Sequence, residues 1–314
     1  MTARRVEVAA GIMTRPDGSF LLGQRAPGTF YPGYWEFPGG KVEAGETPAA
    51  ALVRELEEEL GIRVRVMRPW VMREHAYEHA HVRLHFFEVA RWEGEIIDHV
   101  HSALSWEYAD RLTVGPMLPA NGPILKALRL PRFMAITQAA AIGVAAQLAR
   151  LEPALTDGLR LIQVREPGMS AAQFVLFAGE VVRRARAHGA LVMINGSEEV
   201  ARAVGADGLH LAAARLAERS ARPDFAWVGA SCHARAELER AAELGLDYAL
   251  LGAVQPTPTH PERPALGWSA FADQVAGLPI PVLALGGLGH ADMERAREHG
   301  AHGIAAIRGA WPQS

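Results

Sequence analysis

The sequence has little of what would mark a secreted or membrane protein. Cys232 is the only cysteine in 314 residues, so no disulfide can form within the chain. No run of about 18 apolar residues is present, and the start of the sequence does not resemble a secretory signal. We therefore expect no membrane segment and a cytoplasmic location.

Charge is also nearly balanced. A net charge of −3 gives no electrostatic reason to expect bulk nucleic acid as a partner. Hydrophobic residues make up 49% of the chain, which is enough apolar surface to build packed cores rather than a disordered chain.

Two different rhythms of apolar residues divide the chain at about Pro131, which predicts an α/β protein with domains at 1–130 and 131–314. The first part alternates short apolar runs with turns. The second alternates apolar strands with amphipathic helices, which is typical of a parallel sheet covered by helices. Eight strands in order predict a closed (β/α)8 barrel. Only RGAWPQS follows the eighth strand in this sequence, so we expect the last helix to be truncated. We expect the first domain, an early helix or a second subunit to cover that side.

The first part contains one strong helix pattern, within the stretch GKVEAGETPAAALVRELEEELGI that starts at Gly40. Thr47-Pro48 is a favourable helix start and Gly61 a favourable end. At about 100° per residue, one face is apolar and should be buried, formed by Leu52, Val53, Leu56 and Leu60. The neighbouring edge carries the acids Glu55, Glu58 and Glu59.

The acidic edge has two interpretations. Like charges at this spacing repel each other, and no lysine is interspersed among them. The edge is either a solvated face, or a site for a hard cation such as Mg²⁺, which carboxylates bind together with substrate phosphates.

The wider segment favours the metal site. Gly40, Glu46 and the run Arg54–Ile62, RELEEELGI, fill every fixed position of the Nudix box. The first domain therefore resembles the Nudix hydrolase family, which cleaves nucleoside diphosphates linked to another group. The resemblance implies an α/β/α sandwich with a mixed sheet.

The same resemblance assigns roles around Mg²⁺, for which Mn²⁺ could substitute. It implies a metal bound by Glu55, Glu58, Glu59 and the Gly39 carbonyl. Glu55 would also help to activate water, Arg54 would orient the glutamates through charge-assisted hydrogen bonds, and Glu46 would be a supporting acid. This agrees with the general chemistry, because Mg²⁺ neutralises phosphate charge and lowers the pKa of a bound water.

Further matches are similar to MutT-type members of the family, which remove 8-oxo-dGTP. They are WEFPGGK at 35–41, RWEGE at 91–95 and PANGPILKALRL from Pro119. The resemblance implies that Asn121 reads the oxidised purine, since an amide donates and accepts together. It also implies that Arg25 contacts phosphate and that Phe37 offers the base a backbone contact. Alternatively, Asn121 caps the next helix, Arg25 is an exposed cation, and Phe37 only packs in the core.

One departure concerns the metal site. The loop DHVHSALSW lacks the further metal-binding glutamate of the MutT type, and Val100 stands at the ungapped position. Asp98, His99 or His101 could substitute for it.

A second departure concerns the base. The charged base contacts of the MutT type fall near His79 and Ala80 and are not preserved. Six of the 13 histidines lie between His75 and His101. They are either partly exposed packing residues or groups that tune nucleotide choice or metal affinity. Hydrolysis is expected, while strict preference for the oxidised base does not follow.

The second part resembles thiamine-phosphate synthase over nearly its whole length. The matching motifs are QVRE at 163–166, Asn195, DGLHL at 207–211, GAS at 229–231, PTPT at 256–259 and LGGL at 285–288. The resemblance implies that these strand ends form the active face and bind a phosphorylated ligand. The candidate phosphate-binding residues are Gln163, Arg165, Ser231, Thr257, Thr259, Gly286 and Gly287. A tight turn alone is the alternative for the glycine pair.

The residues that carry the synthase chemistry are nevertheless replaced. Pro167 stands where the family has a diphosphate-binding lysine, Gly196 stands where it has an acid, and His260 where a lysine is usual. The segment 212–215, AAAR, lacks the second metal-binding aspartate. Without these groups a departing diphosphate is not stabilised, so we expect little or no thiamine-phosphate synthesis.

The sequence thus predicts a Mg²⁺-dependent hydrolase that converts a nucleoside triphosphate, first of all 8-oxo-dGTP, to its monophosphate and pyrophosphate, protecting DNA by cleaning the nucleotide pool. The second candidate substrate is another nucleotide or a thiamine-related diphosphate. A third hypothesis makes the barrel a sensor of a phosphorylated ligand, or a scaffold, that regulates the hydrolase. An oligomer is compatible with the sequence.

Overall fold

A computed structural model describes residues 5–78, 80–257 and 264–311. They form two compact units. The first comprises the described residues up to Arg129 with the short segment 276–279, and the second comprises the other described residues. No helix in these ranges is long and apolar enough to cross a membrane.

The first unit is built on two small sheets. Its strands are Arg5–Met13 (β1), Phe20–Gln24 (β2), Trp35–Glu36 (β3), Gly39–Lys41 (β4), Arg63–Ala76 (β5), His81–Glu93 (β6) and Ala103–Glu107 (β7). One sheet has the order β4-β1-β6-β5 and is mixed, because β1 runs parallel to β6 while β4 and β5 are antiparallel to their neighbours. The other is antiparallel, with the order β3-β2-β7.

Helices Pro48–Leu60 (α1) and Gly122–Leu128 (α2) complete this unit. Two apolar cores lie on opposite faces of β1, since Ala9 belongs to one and Ala10 to the other. The apolar face of α1 packs in the core that contains Ala9, and Ile124 of α2 packs in the core that contains Ala10. The mixed-sheet α/β fold predicted from the sequence is confirmed.

Helix α1 begins and ends where its sequence indicates. The Thr47 hydroxyl accepts a hydrogen bond from the Ala50 backbone N–H at 3.2 Å, and Pro48 occupies the first helical position. Gly61 ends the helix with φ of 66°, a left-handed conformation that glycine adopts without steric cost.

The buried face of α1 differs from the expectation at one residue. The predicted leucines are fully buried, at positions 52, 56 and 60. Val53 was expected beside them but is 37% exposed, because it lies at the edge of the apolar arc. Ala51 is buried in addition.

Strand β5 is not evident from the sequence. Its 14 residues, RVRVMRPWVMREHA, include five charged side chains and a proline. Irregular register against β6 breaks the simple alternation that marks a strand, with shifts near Val66 and between Pro69 and Met72.

The second unit is a closed barrel of eight parallel strands. They are Phe133–Ile136 (β8), Leu161–Val164 (β9), Leu191–Ile194 (β10), Gly208–Leu211 (β11), Trp227–Cys232 (β12), Tyr248–Gly252 (β13), Val282–Leu285 (β14) and Gly303–Ala306 (β15). Each strand pairs with the next in the chain, and β15 closes the barrel by pairing with β8. The eight strands predicted from the apolar runs are confirmed, and β12 extends one residue past its run at 225–231, to Cys232.

Among the described residues of the barrel, eight α-helices connect these strands. They are Ala139–Ile142 (α3), Val144–Thr156 (α4), Ala171–Ala187 (α5), Glu198–Ala203 (α6), Ala213–Ala217 (α7), Arg235–Glu243 (α8), Trp268–Val275 (α9) and Met293–Glu298 (α10). After β15 the described residues, which end at Trp311, form a 3₁₀ turn at Arg308–Ala310.

Trp311 contributes to the cover beyond the last strand. Its side chain is 4% exposed, and its Nε1–H donates to the carbonyl oxygen of Ile136 at 3.0 Å. Ile136 ends β8, the first strand of the barrel. Trp311, which follows the last 3₁₀ turn, is thus hydrogen-bonded to the first strand of the barrel. The sequence alone did not indicate this contact.

Replacing this indole should destabilise the barrel. Trp311→Ala is expected to lower the free energy of unfolding by about 3–5 kcal/mol, as for other large buried aromatic residues. Trp311→Phe keeps most of the apolar area and should lose only about 1 kcal/mol with the hydrogen bond. Urea unfolding followed by circular dichroism measures both. An alanine variant as stable as the wild type would show that the indole does not hold the barrel closed.

Candidate functional site

The acidic edge of α1 faces the glycine pair of β4. The Gly39 backbone N–H donates to Glu59 Oε2 at 3.1 Å. A Cβ atom on Gly40 would lie 2.3 Å from Glu55 Cδ, so the carboxylate occupies the space that any side chain would need. Glu58 is less enclosed, with 60% of its side chain exposed.

Arg54 holds the acids together through its guanidinium. Its Nη1 donates to Glu55 Oε1 at 3.0 Å and to Glu58 Oε2 at 3.3 Å. Its Nε and Nη2 donate to the two oxygens of Glu46, each at 3.0 Å. These hydrogen bonds raise the pKa of Arg54, those donated to Glu46 most, and they lower the pKa of Glu46. The geometry is that of an orienting arginine supported by a separate acid.

Glu59 shows that the cluster has excess negative charge. Burial is the main cause that raises the pKa of Glu59 to about 8, and the charges of Glu55, Glu36 and Asp98 act in the same direction. The hydrogen bond from the Gly39 N–H acts in the opposite direction but is outweighed. The charges of three further carboxylates therefore act on Glu59, and no arginine or lysine is among the groups that shift its pKa.

The chemistry of these residues fits a hard divalent cation. Within the ranges that the structure describes, no three aspartate, glutamate, histidine or cysteine side chains already form a compact metal-binding group. The donors are nevertheless carboxylate oxygens with the Gly39 carbonyl nearby, the type that Mg²⁺ prefers. A cation would also relieve the repulsion that raises the pKa of Glu59. Binding by Glu55, Glu58, Glu59 and Gly39 stays a prediction.

The loop before β7 adds one acid to the cluster. The Asp98 charge raises the pKa of Glu59, whereas Val100 is half exposed. Asp98 Oδ1 also accepts from the backbone N–H groups of Val100 and His101, at 3.2 and 2.8 Å. The His101 ring packs so closely on Gly23 that a Cβ there would meet it at 2.2 Å. Of the three candidate substitutes, Asp98 is the acid whose charge acts on Glu59.

The histidines between positions 75 and 101 are dispersed. His85 Nε2 lies 2.7 Å from Glu7 Oε2, and the His75 ring packs against Tyr77. The His99 backbone N–H donates to the carbonyl of Glu59. His79 lies outside the described residues. In the described part of the chain these side chains do not assemble into a metal site.

Arg25 is held by Glu36, an acid that was not predicted as a site residue from the sequence. Its Nη1 donates to Glu36 Oε1 at 2.6 Å, and its Nε donates to the Phe30 carbonyl at 2.6 Å. Burial raises the pKa of Glu36, while Arg25 acts the other way, and Glu36 in turn raises the pKa of Glu59. Glu36 lies within the WEFPGGK motif, but its link between Arg25 and the acidic cluster appears only in three dimensions.

Asn121 is almost fully buried, with 2% of its surface exposed. It makes no side-chain capping bond to α2, which removes the alternative role suggested by its position. Its Nδ2 has no hydrogen-bond partner among the described residues. Buried amides are nearly always hydrogen-bonded, so an unpartnered donor here is unusual. The Phe37 ring packs on Phe20 and Phe86 in the core, which leaves its backbone as the part that a base could contact.

The second unit has a cavity of its own at the carboxyl ends of its strands, with a volume of about 560 Å³. Its lining includes five predicted residues together with Asn195, namely Gln163, Arg165, Ser231, Thr257 and Gly286. A second cavity of about 340 Å³ shares Thr257 and Gly286 and adds Gly287 and Arg308. Thr259 and His260 lie outside the described residues.

A neutral hydrogen-bonded network borders the larger cavity. His210 Nε2 lies 2.9 Å from the Ser231 hydroxyl, and His210 Nδ1 lies 3.1 Å from the Tyr248 hydroxyl. Burial lowers the pKa of His210 to about 3, so the ring is uncharged at neutral pH. Asn195 Nδ2 donates to Gln163 Oε1 at 3.3 Å. His210 and Tyr248 were missed as site residues, although His210 lies within the DGLHL motif.

Charged groups are scarce around this cavity. Among its described lining residues there is no aspartate or glutamate, and Arg165 is the one arginine or lysine. The adjacent Glu166 is buried and accepts from the N–H groups of Ala139 and Ala140, both at 2.7 Å, so it holds the start of α3.

The glycine pair after β14 is required by the backbone itself. Gly286 and Gly287 have φ of 103° and 70°. A Cβ atom would lie 2.5 Å from Ala253 Cβ in the first case and 2.8 Å from the Pro256 carbonyl oxygen in the second. A tight turn therefore explains both glycines, and phosphate binding by them stays a prediction.

Known proteins match the two units separately. A family model described as NUDIX domain matches residues 4–128, and one described as thiamine monophosphate synthase matches residues 133–310. CTP pyrophosphohydrolase of Escherichia coli is 38% identical over 136 residues, which are 43% of this chain and 96% of that protein. The chain belongs to the NUDIX and thiamine monophosphate synthase families.

Two further relatives agree with this assignment. The 8-oxo-dGTP diphosphatase of Escherichia coli is 33% identical over 126 residues, 40% of this chain and 98% of that protein. Thiamine-phosphate synthase of Chromobacterium violaceum is 42% identical over 164 residues, 50% of this chain and 77% of that protein. The predicted fusion of a Nudix hydrolase with a thiamine-phosphate synthase-like barrel is confirmed.

The close contact at Gly40 makes the Nudix site sensitive to one methyl group. Gly40→Ala should displace the Glu55 carboxylate and lower kcat of nucleoside triphosphate hydrolysis about 100-fold, the scale expected for a misplaced catalytic group. Gly179→Ala is the control, because Gly179 lies in α5 of the barrel and an added Cβ atom would meet no neighbouring group within 4 Å. Steady-state kinetics, with circular dichroism to confirm folding, measures both. An unchanged kcat for Gly40→Ala would show that the position of Glu55 is not critical.

Proposed function

We propose that the Nudix unit is a Mg²⁺-dependent pyrophosphohydrolase that converts 8-oxo-dGTP to 8-oxo-dGMP and pyrophosphate, acting in the cytoplasm on the nucleotide pool. The observation that carries this proposal is the buried Asn121 with its unpartnered Nδ2. Unoxidised guanine presents two acceptors, N7 and O6, on one edge. Oxidation at C8 turns N7 into an N–H donor, so that edge then matches an amide that donates and accepts.

The residues of the acidic cluster would hold the cation and the attacking water. Glu55, Glu58, Glu59 and the Gly39 carbonyl are the proposed ligands, and the cation, when bound, neutralises phosphate charge and lowers the pKa of a bound water. Arg54 keeps Glu55 and Glu58 oriented. Glu55 takes a proton from the water as its oxygen attacks phosphorus. The P–O bond to pyrophosphate breaks, and the bond's electron pair leaves with pyrophosphate.

On the substrate side, Arg25 contacts the phosphates. Its guanidinium is already oriented by Glu36 and by the Phe30 carbonyl, so little side-chain freedom is lost on binding. Charge-assisted hydrogen bonds from arginine to phosphate are short and directional. Asn121 reads the base, and the Phe37 backbone adds a contact to it.

A second candidate substrate is CTP or another nucleotide. It is favoured by the relative named CTP pyrophosphohydrolase, which is 38% identical, against 33% for the relative named 8-oxo-dGTP diphosphatase. The absence of the charged base contacts near His79 and Ala80 leaves the choice of base less constrained. A thiamine-related diphosphate is a further alternative, since a barrel of the thiamine monophosphate synthase family is part of the same chain.

A substrate panel tests the proposal directly. With Mg²⁺, kcat/KM for 8-oxo-dGTP should exceed that for dGTP, CTP and thiamine diphosphate by about tenfold or more. Removal of the cation by chelation should abolish turnover, and Mn²⁺ should restore part of it. Glu58→Gln should lower kcat by about 100-fold or more, because one charge-stabilising group is lost. Faster hydrolysis of CTP than of 8-oxo-dGTP would favour the second candidate substrate. Full activity of Glu58→Gln would refute the proposed role of the acids.

For residues 131–314 we propose a catalytically degenerate barrel that binds a phosphorylated ligand and regulates or scaffolds the hydrolase. The support is the lining of its two cavities, in which the described residues offer Arg165 and Arg308, amides and glycine backbone but no acid for a metal. A departing diphosphate needs compensating charge, whereas a monophosphate can be bound by backbone N–H groups and one cation.

Calorimetry and a synthase assay separate binding from catalysis in the barrel. The wild type should bind thiamine phosphate or inorganic phosphate, Arg165→Gln should bind about tenfold more weakly, and Glu58→Gln should bind as the wild type does. No thiamine phosphate should form from its two precursors. Steady product formation would contradict degeneracy, and no heat of binding with either ligand would contradict the binding role.

A further inference from the structure

Three tyrosines and a histidine form an aromatic cluster in the first unit. The ring centroids of Tyr31 and Tyr77 are 5.6 Å apart at an interplanar angle of 54°. Tyr34 meets Tyr31 edge to face at 5.2 Å, and His75 meets Tyr77 at 4.4 Å. Aromatic pairs at these distances stabilise each other by about 0.5–1.5 kcal/mol beyond their buried area.

The backbone of Tyr31 is held in an unusual conformation. Among the described residues it is the one non-glycine residue with positive φ, at 57°. Its loop is fastened on both sides. The Arg25 N–H donates to the Tyr34 carbonyl at 2.8 Å, and the Gly33 N–H donates to the Arg25 carbonyl at 2.9 Å. A residue in this region of φ costs about 1–3 kcal/mol and persists where its surroundings enforce it, often at a ligand site.

The cluster lies near both parts of the proposed nucleotide site. On one side, the Tyr77 oxygen pairs with the backbone of Ala120, the neighbour of Asn121. On the other, the charges of Glu36 and Arg25 act on the Tyr77 hydroxyl. The rings are therefore close to the buried amide that would read a base and to the arginine that would bind phosphate.

We propose that the rings of Tyr31 and Tyr77, the base wall, stack on the nucleobase whose edge Asn121 reads. The wall favours two-ring purines over one-ring pyrimidines, because stacking on an aromatic side chain contributes about 1–3 kcal/mol per base and grows with the overlapping area. This inference rests on the proposed function, since it concerns the same site. It adds the groups that bind the flat faces of the base, which a single amide at the edge does not contact.

The variants must separate stacking from simple packing. Tyr31→Asn removes the ring and tolerates the left-handed backbone, because asparagine adopts positive φ more readily than other residues with a side chain. Tyr31→Phe retains the ring. Tyr108→Asn is the matched control, since Tyr108 lies after β7 and its hydroxyl bonds Asp17 at 3.2 Å, outside the cluster.

The substrates are 8-oxo-dGTP, CTP and deoxyribose 5′-triphosphate, which has no base. Tyr31→Asn should raise KM for 8-oxo-dGTP by about 5–100-fold with little change in kcat, the range that loss of stacking implies. The rise should be smaller for CTP and absent for the base-free triphosphate. Tyr31→Phe and Tyr108→Asn should stay within twofold of the wild type. An equal rise in KM for all three compounds would overturn the base wall, because it would indicate general damage to the site.

Binding measurements keep this inference distinct from the proposed function. In the Glu58→Gln background, calorimetry with 8-oxo-dGTP and with the base-free triphosphate gives affinities without turnover. The wild type could fail to hydrolyse 8-oxo-dGTP while Tyr31→Asn selectively weakens the binding of 8-oxo-dGTP. That result would support the base wall and refute the proposed hydrolysis. If the protein with Tyr31→Asn binds 8-oxo-dGTP as tightly as the protein with Tyr31, the base wall is refuted, whatever the rate of turnover.

Discussion

Repulsion among carboxylates is the constraint around which the first unit is arranged. Helix α1, strand β3 and the loop before β7 bring four acids together, and burial with the charges of the other three raises the pKa of Glu59 to about 8. Such a concentration of charge is unfavourable unless cations compensate it. Arg54 compensates Glu46, Glu55 and Glu58 from one side, and Arg25 compensates Glu36 from the other. The remaining charge is what a divalent cation would neutralise.

The helix can carry this charge because its other face is secured by packing and caps. Leu52, Leu56 and Leu60 are fully buried against the mixed sheet, and each such side chain contributes about 1.5–3 kcal/mol by burial. Pairwise repulsion on an exposed helix costs only a few tenths of a kcal/mol. The apolar seam therefore outweighs the electrostatic cost, and the acidic edge can be kept for function.

The cavity of the barrel differs from the acidic site of the first unit, because it contains few charged groups. The described lining of its larger cavity has one cation and no acid, and its hydrogen bonds run through neutral groups such as His210 and Ser231. Burial keeps His210 uncharged, so the network can orient a ligand but adds no charge. A site of this kind suits recognition of a phosphorylated molecule better than stabilisation of a departing diphosphate.

The sequence by itself determined the features that depend on local spacing. The period of α1 and its caps, the eight short apolar strands of the barrel and the Nudix box are all periodic or contiguous patterns. Only the tertiary structure decided which distant groups meet, because pairs such as Arg25 with Glu36, Asp98 with Glu59, and Tyr31 with Tyr77 join different elements. Strand β5 was also found only in the tertiary structure, because its irregular pairing with β6 breaks the alternation of apolar and polar residues. Spacing along a chain encodes which face of an element is buried, but burial and electrostatic coupling depend on neighbours that arrive from elsewhere in the fold.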